Sequence, residues 1–347
     1  HYLLEKAAFG RSAKESAIVS AGLSGGAAAA VTELMKIKGE PSGMLSKALD
    51  YLNEQEGVSL TDAQMTLRGI RQAWLHIMTQ TNNPYHEKFA LFLLSVWTVG
   101  ESVVTNSKEI PLMWNYIERL RSTARSSTAQ LRDLANEIVT DPFMLIYLNG
   151  NYNLKDNPNE NFAREFFELF TVGPKNLNGV ANYTEKEDIV EAARRFTGWR
   201  IVELDDKLLP VFSPQDHDTG TDELFRGTTY ACKATAEEDV VACTIGNHPS
   251  VAPYYAKEIL EFYLTPNPSS VLIKEFAKVI ENNDFDLRAS MKVLLSSKAF
   301  FHPNYRDTLP KQSAEFAVGI IRTLGLPFHM EGGSGLERTI SDKMAQG

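Results

Sequence analysis

An imidazole lies between two carboxylates in the run Asp216-His217-Asp218. Nitrogen and oxygen donors of these types suit a divalent metal ion, which could activate water for hydrolysis. The spacing does not fit an EF-hand calcium loop, because the sixth and twelfth positions counted from Asp216 are Thr221 and Gly227 rather than glycine and glutamate. The alternative is an acidic surface turn in which His217 makes local hydrogen bonds. A divalent metal is the only cofactor that these residues suggest, and both interpretations stay open.

A second set of charged side chains lies in the segment that starts at Asn157-Pro158. Helical spacing places Glu160, Arg164 and Glu168 on one face, with Glu160 at the third helical position, where its carboxylate can cap the helix. The neighbouring Glu165 is an alternative third member. In a cleft these groups could bind a ligand or transfer protons. On an open surface they would form a solvated ladder of ion pairs worth about 0.2–0.5 kcal/mol each.

Helix signals run through most of the chain. Thr61-Asp-Ala-Gln64 and Thr184-Glu-Lys-Glu187 have the form of capping boxes, and Asp141-Pro142 has the form of an N-cap followed by a first-turn proline. Apolar residues at helical spacing follow these signals. Further helices are predicted at about residues 84–97, 111–121, 129–139, 184–196, 237–245, 249–264, 268–281, 287–296 and 312–324.

The pattern changes after Thr197. Residues 199–203 and 208–212 predict two short strands around the polar turn Asp205-Asp206, and few helix signals occur before residue 236. We therefore predict a mainly α protein. It consists of one large multi-helix domain over residues 1–330, with a small β-hairpin and loop insertion at about 199–236. Residues 331–347, which begin with Glu331-Gly-Gly-Ser-Gly335, are predicted to be a flexible linker and the start of a truncated tail.

The composition is that of an ordinary globular protein, with 43% hydrophobic and 23% charged residues. A net charge of −9 argues against nucleic acid as a partner, because phosphates select basic surfaces. No apolar run approaches the length of about 20 residues that a membrane span needs, so we predict no span. The sequence contains no Gly-x-Ser-x-Gly elbow, Walker loop or dinucleotide fingerprint.

Several motifs resemble those of the bacterial "domain of unknown function 1800" family. They are Asn157–Thr171, Tyr183-Thr-Glu185, Thr197-Gly-Trp-Arg200, the opening His1–Gly10 and Asp216-His-Asp-Thr-Gly220. The resemblance runs nearly end to end and implies a helical fold and an exported protein, without implying a reaction. Members commonly carry a His-Asn-His-Phe-like motif on the helix after a Glu-Lys step, whereas here Glu87-Lys88 is followed by Leu94–Thr98. If those histidines belong to a site, this chain lacks part of it.

The expected export bears on the two cysteines, Cys232 and Cys243. In an oxidising compartment they could close a small loop, and otherwise they are two separate thiols. They lack the Cys-x-x-Cys spacing of zinc and redox motifs. The resemblance favours the disulfide and implies a periplasmic or secreted location. No signal peptide is visible in a chain that begins at His1, where we expect a processed or truncated end.

Two functions fit these observations. The first is a binding or scaffold protein that acts with partner proteins or an extracellular polymer at the bacterial surface. The second is a metal-dependent hydrolase-like enzyme, in which Glu160, Arg164 and Glu168 join the Asp216–Asp218 segment and Arg200 clamps an anionic group. An inactive relative inside a larger assembly is a third. The lack of a catalytic signature and of the family histidines favours binding.

Overall fold

The computed structural model of the protein describes residues 1–53, 66–326 and 328. These residues form a mainly α-helical structure with two small antiparallel sheets of two strands each. The predicted fold class, a multi-helix protein with a small β-hairpin and loop insertion, is confirmed. The predicted capping box at Thr61–Gln64 and the predicted linker and tail at 331–347 lie outside the described residues.

The elements of the described residues are numbered in chain order. The helices are α1 (Tyr2–Ala7), α2 (Ser16–Leu34), α3 (Met44–Asn53), α4 (Leu67–Gln80), α5 (Pro84–Val96), α6 (Ile110–Arg125), α7 (Leu131–Val139), α8 (Pro142–Tyr147), α9 (Asn161–Glu165), α10 (Val190–Arg195), α11 (Glu237–Asn247), α12 (Val251–Tyr263), α13 (Ser270–Asn282), α14 (Leu287–Ser296) and α15 (Ser313–Leu324). The strands are β1 (Trp199–Leu204), β2 (Lys207–Phe212), β3 (Asp222–Leu224) and β4 (Cys232–Ala234). Two segments are π-helical, Phe166–Thr171 and Glu185–Ile189.

Two compact units make up the chain. The first contains residues 1–92, 262–266 and 291 onward, and the second contains residues 93–261 and 267–290. The hairpin and loop insertion lies entirely in the second unit. The prediction of a single domain over residues 1–330 stays a prediction, because compact units can belong to one domain or to two.

The predicted hairpin is present and is one residue longer in each strand than expected. Strand β1 pairs with β2 in antiparallel register, from Trp199 opposite Phe212 to Leu204 opposite Lys207. The two turn residues have positive φ angles, 49° at Asp205 and 61° at Asp206. Such angles are typical of the tight turns that match the twist of a two-stranded ribbon, and aspartate tolerates them well.

Local helix signals were partly correct. The Asp141 carboxylate accepts hydrogen bonds from the Phe143 and Met144 amides, so the predicted N-cap of α8 is confirmed. The predicted position of Glu160 is wrong, because α9 begins at Asn161 and the Glu160 side chain makes no cap hydrogen bond. The side chain of Asn159 instead accepts from the Asn161 amide at 2.9 Å. Because the Asn159 side chain takes up this amide, the helix begins at Asn161 and not at Pro158, where the Asn-Pro motif predicted its start.

Helix α2 is unusually apolar. With the short turn before it, Ala13–Leu34 is the one described segment whose length and composition would allow it to cross a membrane, with a mean hydropathy of 1.4. Signal sequences and the core helices of other proteins pass the same test, so this is weak evidence for a span. Gly26 has non-helical angles, φ 72° and ψ −164°, so α2 is kinked there. The expectation of no membrane span stays a prediction.

A buried ion pair holds the first unit together. The guanidinium of Arg322, on α15, pairs with the carboxylate of Glu15, and both side chains are almost completely buried. Its Nη1 atom also donates to the carbonyl oxygens of Met78, Thr79 and Thr81, at 3.1, 3.1 and 3.0 Å. The carbonyls at the end of a helix lack partners within the helix. Arg322 therefore satisfies the end of α4 while it neutralises Glu15.

Replacing Arg322 should destabilise the first unit strongly. In Arg322→Leu, the Glu15 carboxylate loses its counterion and three carbonyls lose a hydrogen-bond donor inside the core, so we expect the free energy of unfolding to fall by about 3–5 kcal/mol. The control is Arg11→Leu, since Arg11 is exposed and bonds to His1 in a solvent-facing contact. The loss in this variant should stay below about 1 kcal/mol. Urea denaturation measures both. Equal losses would show that the buried pair has no special role.

Candidate functional site

Asp218, predicted as a metal ligand, is held by two arginines of α10. Its carboxylate accepts hydrogen bonds from Arg194 Nε at 2.8 Å, Arg195 Nη2 at 3.3 Å and the Gly220 amide at 2.8 Å. The bond from Arg194 is the main reason that the pKa of Asp218 is lowered. Glu191 adds a second carboxylate, 2.8 Å from Arg194 Nη1 and 3.0 Å from Arg195 Nη2. Two carboxylates thus balance two guanidinium groups, and that of Arg195 is fully buried.

His217 faces backbone carbonyls with both ring nitrogens. Nδ1 donates to the carbonyl oxygen of Thr197 at 2.8 Å, and Nε2 lies 3.4 Å from the carbonyl oxygen of Thr235. The ring packs against Phe212, with 5.2 Å between ring centroids. The Thr197 hydroxyl, in turn, accepts a hydrogen bond from the Asp218 amide at 2.8 Å. His217 therefore attaches its loop to Thr197 through local hydrogen bonds.

Asp216 pairs with Arg200, the residue predicted to clamp an anion. Arg200 Nε donates to the Asp216 carboxylate at 3.1 Å, and Arg200 Nη2 lies 2.9 Å from the same carboxylate. A hydrogen bond from Ser213, followed by that from Arg200, lowers the pKa of Asp216. Arg200 Nη1 also donates to the Asn151 carbonyl at 3.4 Å. The guanidinium is thus already neutralised by a carboxylate of its own loop.

Gly198 shows why a glycine stands in the Thr197–Arg200 motif. Its φ angle is 101°, and a Cβ atom there would lie 2.9 Å from the Cβ of His217 and 2.9 Å from the ring of Phe212. Real Cβ atoms do not approach so closely, so the loop that carries His217 can pack here only against a glycine. The motifs at Thr197–Arg200 and Asp216–Gly220 therefore bind each other and attach the insertion to the end of α10.

The three predicted metal ligands, Asp216, His217 and Asp218, thus bond to three different sets of partners. Within residues 1–53, 66–326 and 328, no group of three or more His, Cys, Asp or Glu side chains is arranged to hold a metal ion. The alternative interpretation, local hydrogen bonding, describes the observed contacts of Asp216, His217 and Asp218. The metal site, and with it the composite hydrolase-like site, stays a prediction without a cluster to support it.

The second predicted group lies beside the π-helical segment Phe166–Thr171. The amides of Val172 and Gly173 both reach back to the carbonyl of Phe167, at 3.1 and 2.9 Å, and the Thr171 hydroxyl donates to the Phe166 carbonyl at 2.5 Å. Below this segment the rings of Phe166, Phe167 and Phe170 are buried. Single π-helical turns are rare and are frequent at functional sites.

Arg164 joins this helix to the second π-helical segment. It lies 3.2 Å from the Glu160 carboxylate, one turn back, and it pairs with the carboxylate of Glu185. The hydrogen bond with Glu185 is the main cause of the raised pKa of Arg164. The segment Glu185–Ile189 begins after Thr184, whose hydroxyl accepts from the Asp188 amide. The predicted capping residue Thr184 is confirmed, but Glu187 is not its partner. The turn is π-helical, so Asp188 takes the reciprocal position and its carboxylate accepts from the Thr184 amide at 2.7 Å.

Glu168 lies between another carboxylate and a tyrosine. Partial burial, followed by the charge of Glu168, raises the pKa of Glu165. Burial, followed by the charges of Glu168 and Glu185, raises the pKa of Tyr183 to about 12. The Tyr183 ring stacks on Phe167, with 5.5 Å between centroids. The Tyr183 hydroxyl therefore stays protonated and donates a hydrogen bond to the Glu168 carboxylate.

We call this group the acidic patch. It consists of Glu160, Arg164, Glu165, Glu168, Tyr183 and Glu185, all of which are partly or largely exposed. Four carboxylates face one guanidinium, so its formal charge is −4 + 1 = −3. Arg164 pairs with Glu160, Glu168 lies beside Glu165 and Tyr183, and Arg200 pairs with Asp216. A functional role for these residues stays a prediction. Tyr183 and Glu185 were missed as site residues, although their Tyr-Thr-Glu motif was visible in the sequence.

Cys232 and Cys243 form a disulfide that joins β4 to α11, with 5.9 Å between the Cα atoms. The predicted disulfide is therefore confirmed, and the alternative of two separate thiols is wrong. The bond closes the end of the insertion onto the helix that follows it. A disulfide in this position adds a covalent attachment to the ion pairs that hold the start of the insertion.

Comparison with protein families identifies the chain. Residues 2–346 match the model of a family of proteins of unknown function, DUF1800. The match covers essentially the whole sequence, so the protein belongs to this family. Neither the curated proteins nor the solved structures include one that matches the chain. The family description names no activity.

Removing the Asp218 carboxylate should loosen the insertion. In Asp218→Ala, Arg195 loses one of its two counterions, and we expect a loss of about 3 kcal/mol in the free energy of unfolding at pH 7. Because the folded pKa of Asp218 is lowered, this contribution is present above the unfolded pKa of about 3.9 and disappears as pH falls through the lower folded value. Urea denaturation at pH 7 and below pH 4 measures the difference between wild type and variant.

The control for this experiment is Asp222→Ala. Asp222 pairs with Arg226 on the surface, where both side chains are about half exposed. Its removal should cost less than about 1 kcal/mol. A loss in Asp218→Ala that is no larger than the loss in Asp222→Ala, or that does not shrink in acid, would contradict the role of Asp218.

Proposed function

We propose that this protein is an exported bacterial binding protein, and that the acidic patch holds cationic groups of a partner protein or an extracellular polymer. The observation that carries the proposal is the unbalanced charge of the patch, which includes Glu160, Arg164 and Glu168. In the group around Arg195, by contrast, the two guanidinium groups of Arg194 and Arg195 are paired with two carboxylates, Glu191 and Asp218. In the patch, three carboxylates are left over after Arg164 is neutralised.

The free capacity of the patch consists of hydrogen-bond acceptors. Arg164 already serves Glu160 and Glu185, so it offers little to an anion. Glu165 and Glu168 contribute carboxylate oxygens, and these accept hydrogen bonds from ammonium, guanidinium and hydroxyl groups. An amine-bearing polymer or a basic protein segment has the complementary chemistry. A polyanion does not.

The helix that carries Glu165 and Glu168 packs on a cluster of buried aromatic rings. The ring of Phe170 lies 4.9 Å from that of Trp97, and Phe166 lies 5.5 Å from Phe196, with all four residues buried. Packed aromatic cores of this kind hold the helices above them in one arrangement. A binding surface that is fixed in advance loses less conformational entropy when its ligand arrives.

The disulfide supports the exported location. Disulfides persist in the periplasm and outside the cell and are rare in a reducing cytoplasm. The apolar segment Ala13–Leu34 near the N-terminus is compatible with export but is not specific for it. We therefore propose a periplasmic or secreted location. The hydrolase-like alternative would need Arg200, Asp216 and Asp218, which are engaged in ion pairs, so we do not propose it.

Cationic polymers should bind through the patch. We expect chitosan oligosaccharide or poly-L-lysine to bind at low salt, with neutral laminarin and anionic alginate as negative probes. In Glu165→Gln/Glu168→Gln the affinity should fall about tenfold or more, equivalent to at least about 1.4 kcal/mol. The control Glu275→Gln/Glu281→Gln removes the same charge from α13. Isothermal titration calorimetry measures the affinity of each polymer for the wild type and for both double variants. Equal losses in both variants would reduce the binding to non-specific attraction.

The same titration has a predicted pH dependence. Because partial burial and the charge of Glu168 raise the pKa of Glu165, this carboxyl takes up a proton at a higher pH than an ordinary glutamate does. A bound cation favours the charged form, so affinity should rise from pH 4 to pH 7 and binding should release protons. Glu165→Gln should flatten the rise. An affinity that is independent of pH in the wild type would remove Glu165 from the site.

The location can be tested on the protein in the bacterium that makes it. We expect cell fractionation to find it in the periplasm or the medium. A maleimide-polyethylene glycol reagent under denaturing conditions should add no label before reduction and two labels after it, since the only two cysteines are paired. Recovery from the cytoplasm with both thiols reactive would contradict the proposed export.

A further inference from the structure

His248 is a buried histidine whose two ring nitrogens have fixed partners. The residue is 3% exposed and stands between α11 and α12 in the second unit. Its Nδ1 accepts a hydrogen bond from the Ser250 amide at 3.1 Å, and its Nε2 lies 2.9 Å from the Asn182 carbonyl oxygen. An amide N–H only donates and a carbonyl oxygen only accepts, so the ring must carry its proton on Nε2. These partners therefore select one neutral tautomer.

The protonated ring does not fit the same partners. An imidazolium donates from both nitrogens, so its Nδ1–H would point at the N–H of Ser250. The rings of Phe225 and Tyr230 pack against the imidazole, with 4.8 and 4.6 Å between ring centroids, and help to bury it. Burial is the main cause of the lowered pKa of His248. The surroundings therefore hold the neutral imidazole.

Asp188, in the second π-helical segment, carries a charge that favours the protonated form of His248. Its Oδ1 accepts from the Phe225 amide at 2.6 Å, and its Oδ2 accepts from the Thr184 amide at 2.7 Å. Both oxygens thus face other donors. Asp188 reduces the cost of protonation, but the atom opposite Nδ1 is still the amide nitrogen of Ser250.

Further ionisable groups come from α7 and from the insertion. Arg132 of α7 approaches Gly246 on the last turn of α11, where a Cβ atom would lie 2.8 Å from the Arg132 Nη2. Its guanidinium acts on His248 in the direction opposite to Asp188, since like charges repel. Tyr230 adds a phenol whose ring packs on the imidazole.

Asn182 connects this histidine to the acidic patch. Its side-chain Nδ2 donates to the carbonyls of Val172 and Gly173, at 2.7 and 3.0 Å, and its Oδ1 accepts from the Ser250 hydroxyl at 2.7 Å. The two carbonyls directly follow the first π-helical segment. The next residue after Asn182 is Tyr183, a member of the patch. The network therefore fixes the start of the segment that supplies two residues of the patch.

We propose that His248 is a positioning residue for the acidic patch and makes the patch sensitive to protons. In its neutral form it holds residues 183–185 in place. In mild acid its protonation turns the Ser250 amide from a partner into a repelling group, breaks the link to Asn182 and releases the segment. The patch then loses a tyrosine and a carboxylate from their positions and holds a cationic partner less tightly. The inference rests on the proposed function and deepens it, because it names a regulation of the same site.

The direction of the pH dependence follows from the lowered pKa of His248. An unfolded histidine has a pKa of about 6.5, and that of the folded residue lies below this value. Between the two values the opened chain binds more protons than the folded one, so the folded arrangement loses stability as pH falls through this window. Glu165 also weakens cation binding in acid, so the first measurement is made without a ligand.

Hydrogen exchange followed by mass spectrometry tests the proposal on the ligand-free protein. Exchange is measured at pH 7 and pH 5, with labelling times scaled to the intrinsic rate at each pH. In the wild type, the protection of residues 182–189 should fall about fivefold or more between the two, because this segment opens locally. Helix α13 should change by less than about twofold. Equal losses in both regions would indicate general acid unfolding and would overturn the proposal.

Two variants remove the proton-binding group while keeping part of its contacts. His248→Gln keeps a donor for the Asn182 carbonyl, and His248→Asn keeps an acceptor for the Ser250 amide. Neither side chain titrates, so protection at pH 7 and at pH 5 should agree within about twofold. The matched control is His302→Gln, which should respond like wild type. His302 is exposed, and its Nδ1 likewise accepts from the amide two residues further on, at 3.2 Å.

The wild type decides the proposal even if a variant does not fold. Unchanged protection of residues 182–189 from pH 7 to pH 5 would overturn it. The same acid-induced loss in both His248 variants as in the wild type would overturn it as well.

Poly-L-lysine, which stays charged over this pH range, separates this inference from the proposed function. Between pH 7 and pH 5 its affinity should fall about threefold more for the wild type than for His248→Gln. No binding to the wild type at pH 7 would overturn the proposed function alone, since the exchange experiment contains no ligand. Binding at pH 7 with an equal fall in both proteins would overturn the role of His248 and leave the proposed function standing.

Discussion

The buried guanidinium of Arg195 sets the main constraint on the second unit. A charge removed from water costs several kcal/mol unless counterions and hydrogen bonds replace the solvent. Glu191, one turn back on α10, supplies one counterion, and Asp218 supplies the other from a distant part of the chain. The insertion can leave α10 only by exposing or unpairing this charge. The contact between His217 and Thr197, the close approach at Gly198 and the pairing of Arg200 with Asp216 all depend on the insertion staying in place.

The same part of the chain shows two different uses of charge. Around Arg195 the carboxylates and guanidinium groups are equal in number and share their hydrogen bonds, which suits a structural joint. In the acidic patch, carboxylates outnumber the single guanidinium, and a stacked tyrosine and two π-helical turns lie among them. A stable fold gains nothing from excess like charge on its surface, so an unbalanced group is the better candidate for binding. This contrast is the physical basis for placing the function at the patch.

Local rules predicted much of the fold. The N-cap at Asp141, the capping residue Thr184 and the hairpin around Asp205-Asp206 depend on neighbours within a few residues, and the structure contains each of them. The start of α9 was predicted too early, because the side chain of Asn159 takes up the Asn161 amide and stops the helix there. The π-helical turn after α9 has no local signal of this kind. It accompanies the burial of Phe166, Phe167 and Phe170, which is a matter of packing.

By itself, the sequence determined the fold class, the family, the pairing partners available to two cysteines and the presence of two groups of chemically active residues. These follow from periodicity, composition and motifs, which act over short distances along the chain. Only the tertiary structure decided which partners each group contacts. Asp216, His217 and Asp218 are neighbours in sequence, yet their partners come from Arg200, Thr197 and the arginines of α10, so they serve as attachments. Glu160 and Glu185 are 25 residues apart, and Arg164 brings them together. The energy of a charged group depends on its solvent exposure and on the nearest opposite charge, and both are set by the folded arrangement.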